Sequence, residues 1–338
     1  MRLVVQIPCL NEESTLPLVL ETIPARIDGV ESIEVVVVDD GSTDRTSEVA
    51  MVYGAHVIRH TSTFGLARSF RDGADYALSR GADILVNTDG DNQYPQHRIP
   101  DLIAPILAAR ADIVIGDRQT SQIRHFSTFK KWMQAFGSQV VNKAARTVLP
   151  DAGSGFRAYS RGALLRLNII TDYSYCVETI IQAGNRRLQI ESLKIDTNPE
   201  TRESRLFKNM WHHMFKSGVA IIRSYLMFRP YILLVTLGTI FGVLATIPFV
   251  RFGILWLFNE HLRHVQSLIF GTSMLVASLL CFALLIIADL LRTNRILLEE
   301  SLERVKALQY PQHRLLDEVR PFVSTNGHPS PTPQPGYR

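Results

Sequence analysis

The sequence predicts a mostly parallel α/β sheet flanked by helices, followed by an amphipathic helix and two membrane-spanning helices. Three observations carry this. Short β-branched runs alternate with helical segments through the first 120 residues, the pattern of a parallel sheet. Four of those runs end in acids, amides or an Arg. Two long uncharged runs follow, at residues 231–250 and 266–288.

The 338 residues suffice for one large domain and an appendage. Mean hydropathy of +0.07 is high for a wholly soluble chain, and the excess lies towards the C-terminus. Cys9, Cys176 and Cys281 are far apart and give neither a disulfide framework nor a zinc spacing. The chain opens on a strand-like run without a signal-peptide pattern. A net charge of +4 is mild and calls for no nucleic-acid partner.

Residues 3–8 read as a buried strand closed by Pro8. A helix from about Ser14 carries Pro17 in its first turn, where a missing N–H is harmless. Residues 33–38 form a second strand, unbroken and β-branched, as in a sheet covered on both faces. It runs into Asp39-Asp40-Gly41-Ser42-Thr43-Asp44, where Ser42 or Thr43 is expected to cap the next helix. Residues 56–59 give a short third strand. The helix after Phe64-Gly65 stops at Gly81, a usual C′ residue. Residues 83–95 are the centre of the pattern: a buried strand ending in Asp89-Gly90-Asp91-Asn92-Gln93-Tyr94-Pro95. Alternate residues of a strand share a face, so Asp89 and Asp91 can converge, and Gly90 admits a close neighbour. Such a pair suits a hard cation completed by phosphate oxygens; a solvated Asp/Gly turn is the plainer alternative. A helix over 98–110 and a strand over 112–116 lead to Asp117-Arg118. In open α/β sheets ligands sit beyond the carboxyl ends of the strands, where all these groups fall.

Beyond residue 120 the pattern changes. Residues 125–149 read as a long helix with Lys130 and Lys131. Residues 151–157 make a Gly-rich turn holding Asp151 and Arg157. A helix over 175–183 contains Glu178, and 188–195 read as a strand. Residues 205–229 form an amphipathic helix. At about 100° per residue, Arg205, Lys208, His212, Lys216 and Arg223 share one arc, opposite Leu206, Met210, Met214, Ile221 and Tyr225. That is the signature of a helix lying in a membrane interface. The two uncharged runs then each span a bilayer core of roughly 30 Å. Arg223, Arg229, Arg292 and Arg295 flank the spans outside; the short connector has only Arg251 and Arg263. The positive-inside rule puts the folded domain in the cytoplasm, on a bacterial plasma-membrane type of protein. Residues 296–308 are a charged helix with an apolar stripe, suited to packing on the domain or on a second subunit in a homo-oligomer. The Pro-rich tail after residue 320 reads as disordered. The domain boundaries are therefore 1–204, 205–229, 230–291, 292–320 and 321–338.

Asp39 can accept from a base or ribose, the Pro8 to Glu12 loop can wall the base, and Arg118 can meet a phosphate as a planar fork. Neither a dinucleotide fingerprint nor a P-loop motif occurs. A nucleotide diphosphate held by metal is the remaining reading.

The motifs Pro8-Cys9-Leu10-Asn11-Glu12, Val38-Asp39-Asp40-Gly41-Ser42-Thr43-Asp44, Asp89-Gly90-Asp91-Asn92-Gln93, Gly116-Asp117-Arg118 and the 151–157 turn stand in the order of family 2 glycosyltransferases. More narrowly, the chain resembles the polyprenyl-phosphate glycosyltransferase group, to which dolichol-phosphate mannose synthases belong. The resemblance covers about residues 1–205. It implies a GT-A fold, an inverting transfer from a UDP- or GDP-sugar donor, and Mg²⁺ or Mn²⁺ as cofactor. The implied acceptor is a membrane lipid, polyprenyl phosphate; a hydroxyl lipid such as diacylglycerol, or an inactive scaffold, are the alternatives. It places nucleotide-sugar binding on Pro8, Leu10, Glu12, Asp39, Asp40, Asp89, Gly90, Glu178 and Arg202. Metal binding falls on Asp89, Asp91 and Gln93, and the acceptor phosphate on Arg118, Arg124, Lys130 and Lys131. Asp89, Asp91, Arg118 and Asp151 are the expected catalytic set. The family often carries Tyr or Phe where Leu10 stands and Ser where Asp117 stands. The Gln-x-x-Arg-Trp motif of processive synthases is absent, which fits one sugar per event.

Overall fold

The computed structural model describes residues 1–119, 138, 139, 141, 142, 145, 147–170, 175–198, 230–257 and 265–311. Arg124, Lys130, Lys131, Arg202, the 205–229 helix and the C-terminal tail lie outside the described residues.

The alternation read from the sequence becomes a seven-stranded sheet. Its elements in chain order are β1 (Arg2–Cys9), α1 (Leu16–Thr22), β2 (Ser32–Asp39), α2 (Thr46–Val52), β3 (His56–Arg59), α3 (Leu66–Ser79), β4 (Ile84–Asn87), α4 (Ile99–Leu107) and β5 (Ile113–Asp117). Then come β6 (Arg157–Ser160), α5 (Arg161–Arg166), α6 (Tyr175–Asn185) and β7 (Ile190–Lys194). The strand order is β3-β2-β1-β4-β6-β5-β7. All neighbours are parallel except β6, which runs antiparallel to both β4 and β5. β6 is the element that sequence periodicity does not reveal. It has four residues, Arg-Ala-Tyr-Ser, too few to express a period of two.

The inversion of β6 matters for the site. The carboxyl ends of β1, β2, β4 and β5 share one rim because those strands are parallel. An antiparallel strand brings its amino end to that same rim, and with it the turn that carries Asp151 and Gly155. Two apolar layers cover the sheet. Leu16, Val19, Ala50, Ile99 and Leu102 of α1, α2 and α4 pack on one face. Phe70, Leu78, Leu164, Ile180 and Ile181 of α3, α5 and α6 pack on the other. This double cover explains why β1, β4 and β5 are apolar throughout rather than alternating.

Local signals fare unevenly. Gly81 does end α3, at a φ of 70°, and Pro17 lies in the first turn of α1. Ser42 and Thr43 do not cap α2, which starts at Thr46 without a side-chain cap. Both instead bind Asn11 across the rim, a use that neighbouring residues in the sequence do not reveal.

Two long helices complete the described chain, α7 (Pro230–Leu257) and α8 (Val265–Gln309). Both are long and apolar enough to cross a membrane. They pack through small residues. Ser278 Oγ donates to the Gly238 carbonyl (2.8 Å), Ala245 is buried between the helices, and a Cβ on Gly238 would stand 3.2 Å from the Phe282 ring. Small residues at such crossings permit the close approach that drives packing in lipid. Leu244, Ile247, Leu279 and Ile286 point outward and exposed, the arrangement expected of lipid-facing positions. The domain boundary expected between residues 291 and 292 falls within α8, whose helical backbone runs on to Gln309. The charged residues after it continue the helix and dock on the α/β domain.

Candidate functional site

Two loops wall the rim beside β1 and β2, and each holds the other. Asn11 N donates to Ser42 Oγ (2.8 Å), and Thr43 N donates back to Asn11 Oδ1 (2.8 Å). Asn11 sits at a φ of 54°, a left-handed conformation that Asn tolerates better than most. Glu12 N donates to Thr46 Oγ1 (2.8 Å). Asp39, fully buried at the end of β2, accepts from Ser42 N (2.8 Å) and from the Ser47 hydroxyl, with Arg59 Nε 3.9 Å away. Asp40 turns elsewhere. Its two oxygens accept from Phe64 N (2.9 Å) and Gly65 N (2.8 Å), and His60 Nδ1 lies 2.7 Å off. Asp40 thus secures the entry to α3.

At the centre, Asp89 and Asp91 follow β4 directly. Glu12 lies close to them: Thr15 Oγ1 is 2.8 Å from both Glu12 Oε2 and the Gly90 carbonyl oxygen. Gly90 is required there, because a Cβ would stand 2.8 Å from Cys9 Sγ and 3.2 Å from Glu12 Cγ. Gly155 presses on the other side, where a Cβ would meet Asp89 Oδ2 at 2.9 Å. Burial first, then the Asp91 carboxylate, push the Asp89 pKa up to about 7. Glu12 adds to the rise, and Arg118 and Arg157 oppose it. Asp91 Oδ1 accepts from Gln93 N (3.1 Å), and Asn198 N donates to the Gln93 carbonyl (2.9 Å). Asn92 stands at a φ of 59°.

The β5 side supplies the cation. Arg118 Nε and Nη2 donate to Asp151 Oδ2 (2.7 Å) and Oδ1 (3.0 Å), a bidentate pair. Asp151 is only 1% exposed and Arg118 19%. Burial opposes the charge on Arg118. Tyr94, Asp151 and Asp89 more than offset it and hold its pKa above the ordinary value.

Beneath the rim lies a polar floor that sequence reasoning missed. Arg157, fully buried, donates to Ser154 O (2.7 Å), Ala152 O (2.9 Å), Cys176 O (2.9 Å) and Thr179 Oγ1 (3.0 Å). It ties the Asp151 turn to α6. Gln6 Nε2 donates to Asn87 Oδ1 (2.7 Å), and Asn87 Nδ2 donates to Gly155 O (2.8 Å) and Tyr175 Oη (2.8 Å). Gly155 N donates to Tyr94 Oη (2.8 Å). The available signal was a polar Gln and Asn inside otherwise apolar strands. Buried polar groups without water need partners from elsewhere in the fold.

The rim therefore gathers Pro8, Leu10, Glu12, Asp39, Asp89, Gly90, Asp91, Gln93, Arg118 and Asp151. Glu178 is engaged otherwise. Its carboxylate accepts from Ile170 N (3.1 and 3.2 Å) and Gln182 Nε2 (3.2 Å), stitching α6 to the segment before it. Among the described residues no cluster of three or more His, Cys, Asp or Glu could enclose a metal by itself. The fit to a divalent cation is that of an incomplete shell. Two adjacent carboxylates, one holding its proton to about pH 7, leave the remaining positions to ligand oxygens.

Comparison with known proteins agrees. Residues 4–167 match the model of Glycosyl transferase family 2. The chain is 31% identical over 176 residues to an undecaprenyl-phosphate mannosyltransferase of Micrococcus luteus, covering 50% of this chain and 70% of that protein. It is 29% identical over 191 residues to a polyprenol monophosphomannose synthase of Mycolicibacterium smegmatis, covering 52% and 69%. Among solved structures, glucosyl-3-phosphoglycerate synthase of Mycobacterium tuberculosis, in complex with Mn²⁺, UDP and glucosyl-3-phosphoglycerate, superposes with a TM-score of 0.51 at 24% identity, covering 66% of this chain and 79% of that one. The likeness shows a GT-A-type fold.

Proposed function

The chain belongs to glycosyl transferase family 2, and from that premise we propose that it moves one sugar from a nucleotide-sugar to polyprenyl phosphate at a membrane surface. The observation that carries the reading is the meeting of an acid pair, Asp89 and Asp91, with the bidentate Arg118–Asp151 pair on one rim, in a chain with two membrane-length helices. The relatives named for transfer to undecaprenyl phosphate and to polyprenol support the acceptor class.

Asp39 and the Pro8–Leu10–Glu12 loop hold the nucleoside, with Gly90 admitting the ribose and diphosphate. Asp89, Asp91 and Gln93 hold Mg²⁺ or Mn²⁺ together with the diphosphate. When bound, the cation supplies electrostatic stabilisation of the charge that develops on the departing diphosphate. Mn²⁺ in the solved relative supports a divalent cofactor. Asp151 occupies the Nε edge of the Arg118 fork and leaves its Nη1 edge for a phosphate. Arg118, with Arg124, Lys130 and Lys131, is assigned to the acceptor phosphate; Glu178 and Arg202 remain assigned to the donor side, Glu178 through the placement of α6. A phosphomonoester has a second pKa of about 6, so the acceptor oxygen is already ionised and needs no strong general base. Catalysis then rests on alignment of that oxygen behind the anomeric carbon, which inverts its configuration. The excess of Arg outside the spans supports a cytoplasmic domain.

The test is a screen of UDP- and GDP-sugars against polyprenyl phosphate, with the full chain in nanodiscs and product read by mass spectrometry. A polyprenyl phosphate heavier by one sugar, lost in EDTA, is expected. Transfer to diacylglycerol alone, or no product with any donor, would refute the reading.

A further inference from the structure

Helix α8 has 45 residues, a length of about 67 Å at 1.5 Å per residue. A bilayer core of roughly 30 Å uses about 20 of them. Its uncharged part ends at Ala288, and Asp289 is the first charge. The helix continues unbroken to Gln309 and lies against the α/β domain. Arg186, just after α6, donates to Glu299 Oε2 (2.9 Å) and Glu303 Oε2 (3.4 Å). Arg166 of α5 donates to Glu303 Oε1 (3.1 Å), and Lys306 Nζ donates to the Leu167 carbonyl (2.9 Å). Arg161 reaches the Tyr310 carbonyl, and the Tyr310 side chain packs on the α3/α5/α6 core. Arg186 and Glu299 are only 17% and 18% exposed, so this is a partly desolvated contact rather than a solvated pair.

The contact carries a length. Glu299 stands ten residues beyond Asp289, about 15 Å along the axis, and Tyr310 about 31 Å. The domain is thus gripped at fixed distances from the end of the apolar span. The grip falls on α5 and α6. α6 also accepts the buried Arg157 through Cys176 O and Thr179 Oγ1, and Arg157 holds the turn bearing Asp151 and Gly155.

We propose that the cytoplasmic part of α8 is a strut that sets the height and tilt of the rim over the bilayer, with Arg186, Glu299 and Glu303 as its positioning residues. The inference rests on the proposed reaction at the membrane surface. A phosphate fixed at the headgroup layer can be met only by a rim held at matching height. A soluble acceptor has no such requirement, and among the described residues the strut's polar partners, Arg161, Arg166, Leu167 and Arg186, are not among those assigned to the donor.

The experiment uses the full chain in nanodiscs. Seven residues of Ala, Glu and Lys inserted after Arg292 lengthen α8 by about 10 Å and rotate its docking face by only about 20°. Energy transfer from a dye on Val52→Cys to labelled headgroups reads the height. The dye is expected to rise by about 10 Å. The kcat/KM for long-chain polyprenyl phosphate should fall at least about tenfold. The donor KM, and turnover of a short-chain acceptor soluble in water, should stay within about twofold. Glu299→Arg should lose long-chain transfer, and adding Arg186→Glu should restore it. An unchanged height, or unchanged long-chain turnover at the raised height, overturns the strut. If the unaltered chain transfers to no polyprenyl phosphate, the reaction proposal fails, and the height measurement alone still decides whether α8 sets the domain's position.

Discussion

The two halves of the rim satisfy their polar groups differently. Beside β1 and β2, backbone N–H groups and neutral side chains bond across loops about thirty residues apart in sequence: Asn11 with Ser42 and Thr43, and Glu12 N with Thr46. That wall is shaped before any ligand arrives. Beside β4, β6 and β5, charge is concentrated. Asp89 keeps its proton to about pH 7 because it is buried and because the Asp91 and Glu12 carboxylates crowd it, and Arg118 closes on a nearly buried Asp151. A neutral, self-bonded wall suits the invariant part of a ligand, its nucleoside. A charged half suits the part whose charge changes during reaction. Binding energy realised where charge develops raises turnover, whereas a preformed wall raises affinity.

The comparison predicts unequal effects of substitution. Asp91→Asn removes one charge from the charged half and should lower transfer by about 10³-fold, the range for losing an electrostatic stabiliser, with thermal unfolding little changed. A variant with more than a tenth of full turnover would dissolve the distinction. Arg118→Met leaves Asp151 buried without its partner. It should cost about 3–5 kcal/mol of stability, measurable by denaturant titration, besides abolishing transfer. A loss below about 1 kcal/mol would mean that the pair is solvated.

The pH dependence separates the halves next. Asp89 titrates near its ordinary value of 3.8 when unfolded and at about 7 when folded. The folded chain binds more protons in between, so Asp89 contributes stability that is full below about pH 4 and lost as pH rises through 7. A cation takes the proton's place. Thermal stabilisation by Mn²⁺ should therefore be larger at pH 8 than at pH 6, and Asp89→Asn should flatten that difference. Equal shifts at both pH values would contradict it. The smallest effect belongs to the neutral wall. Ser42→Ala removes the acceptor for Asn11 N and should cost about 1 kcal/mol. The donor KM should rise a few-fold with kcat nearly kept, as steady-state kinetics would read; a fall in kcat alone would assign Ser42 to the other half.

Much of this was legible in the sequence where local pattern and position agree. Apolar runs closed by Pro8, Asp39, Asn87 and Asp117 announced parallel strands, and the rule that ligands meet their carboxyl ends collected the acids. What the chain hides depends on pairing between distant residues. β6 is four residues long, and its inversion is set by its place between β4 and β5. The Arg118–Asp151 bond spans 33 residues. Arg157 looks like any turn Arg until its four carbonyl and hydroxyl partners are seen. Glu178 sits in a helix the sequence locates well, yet its carboxylate serves Ile170 N. The α8 extension reads as a separate charged helix because, besides Arg295 one turn earlier, Glu299 and Glu303 find their cations on Arg186 and Arg166, more than a hundred residues back in the chain.

The central claim is that both halves form one site, joined by a cation-bound diphosphate. Calorimetric titration of UDP and GDP into the full chain, with Mn²⁺ and then with EDTA, tests it most directly. The account predicts that one nucleotide binds tightly with Mn²⁺, that EDTA removes nearly all of that affinity, and that Asp91→Asn behaves like EDTA while Ser42→Ala loses only a few-fold. Equal nucleotide affinity in Mn²⁺ and in EDTA would contradict it.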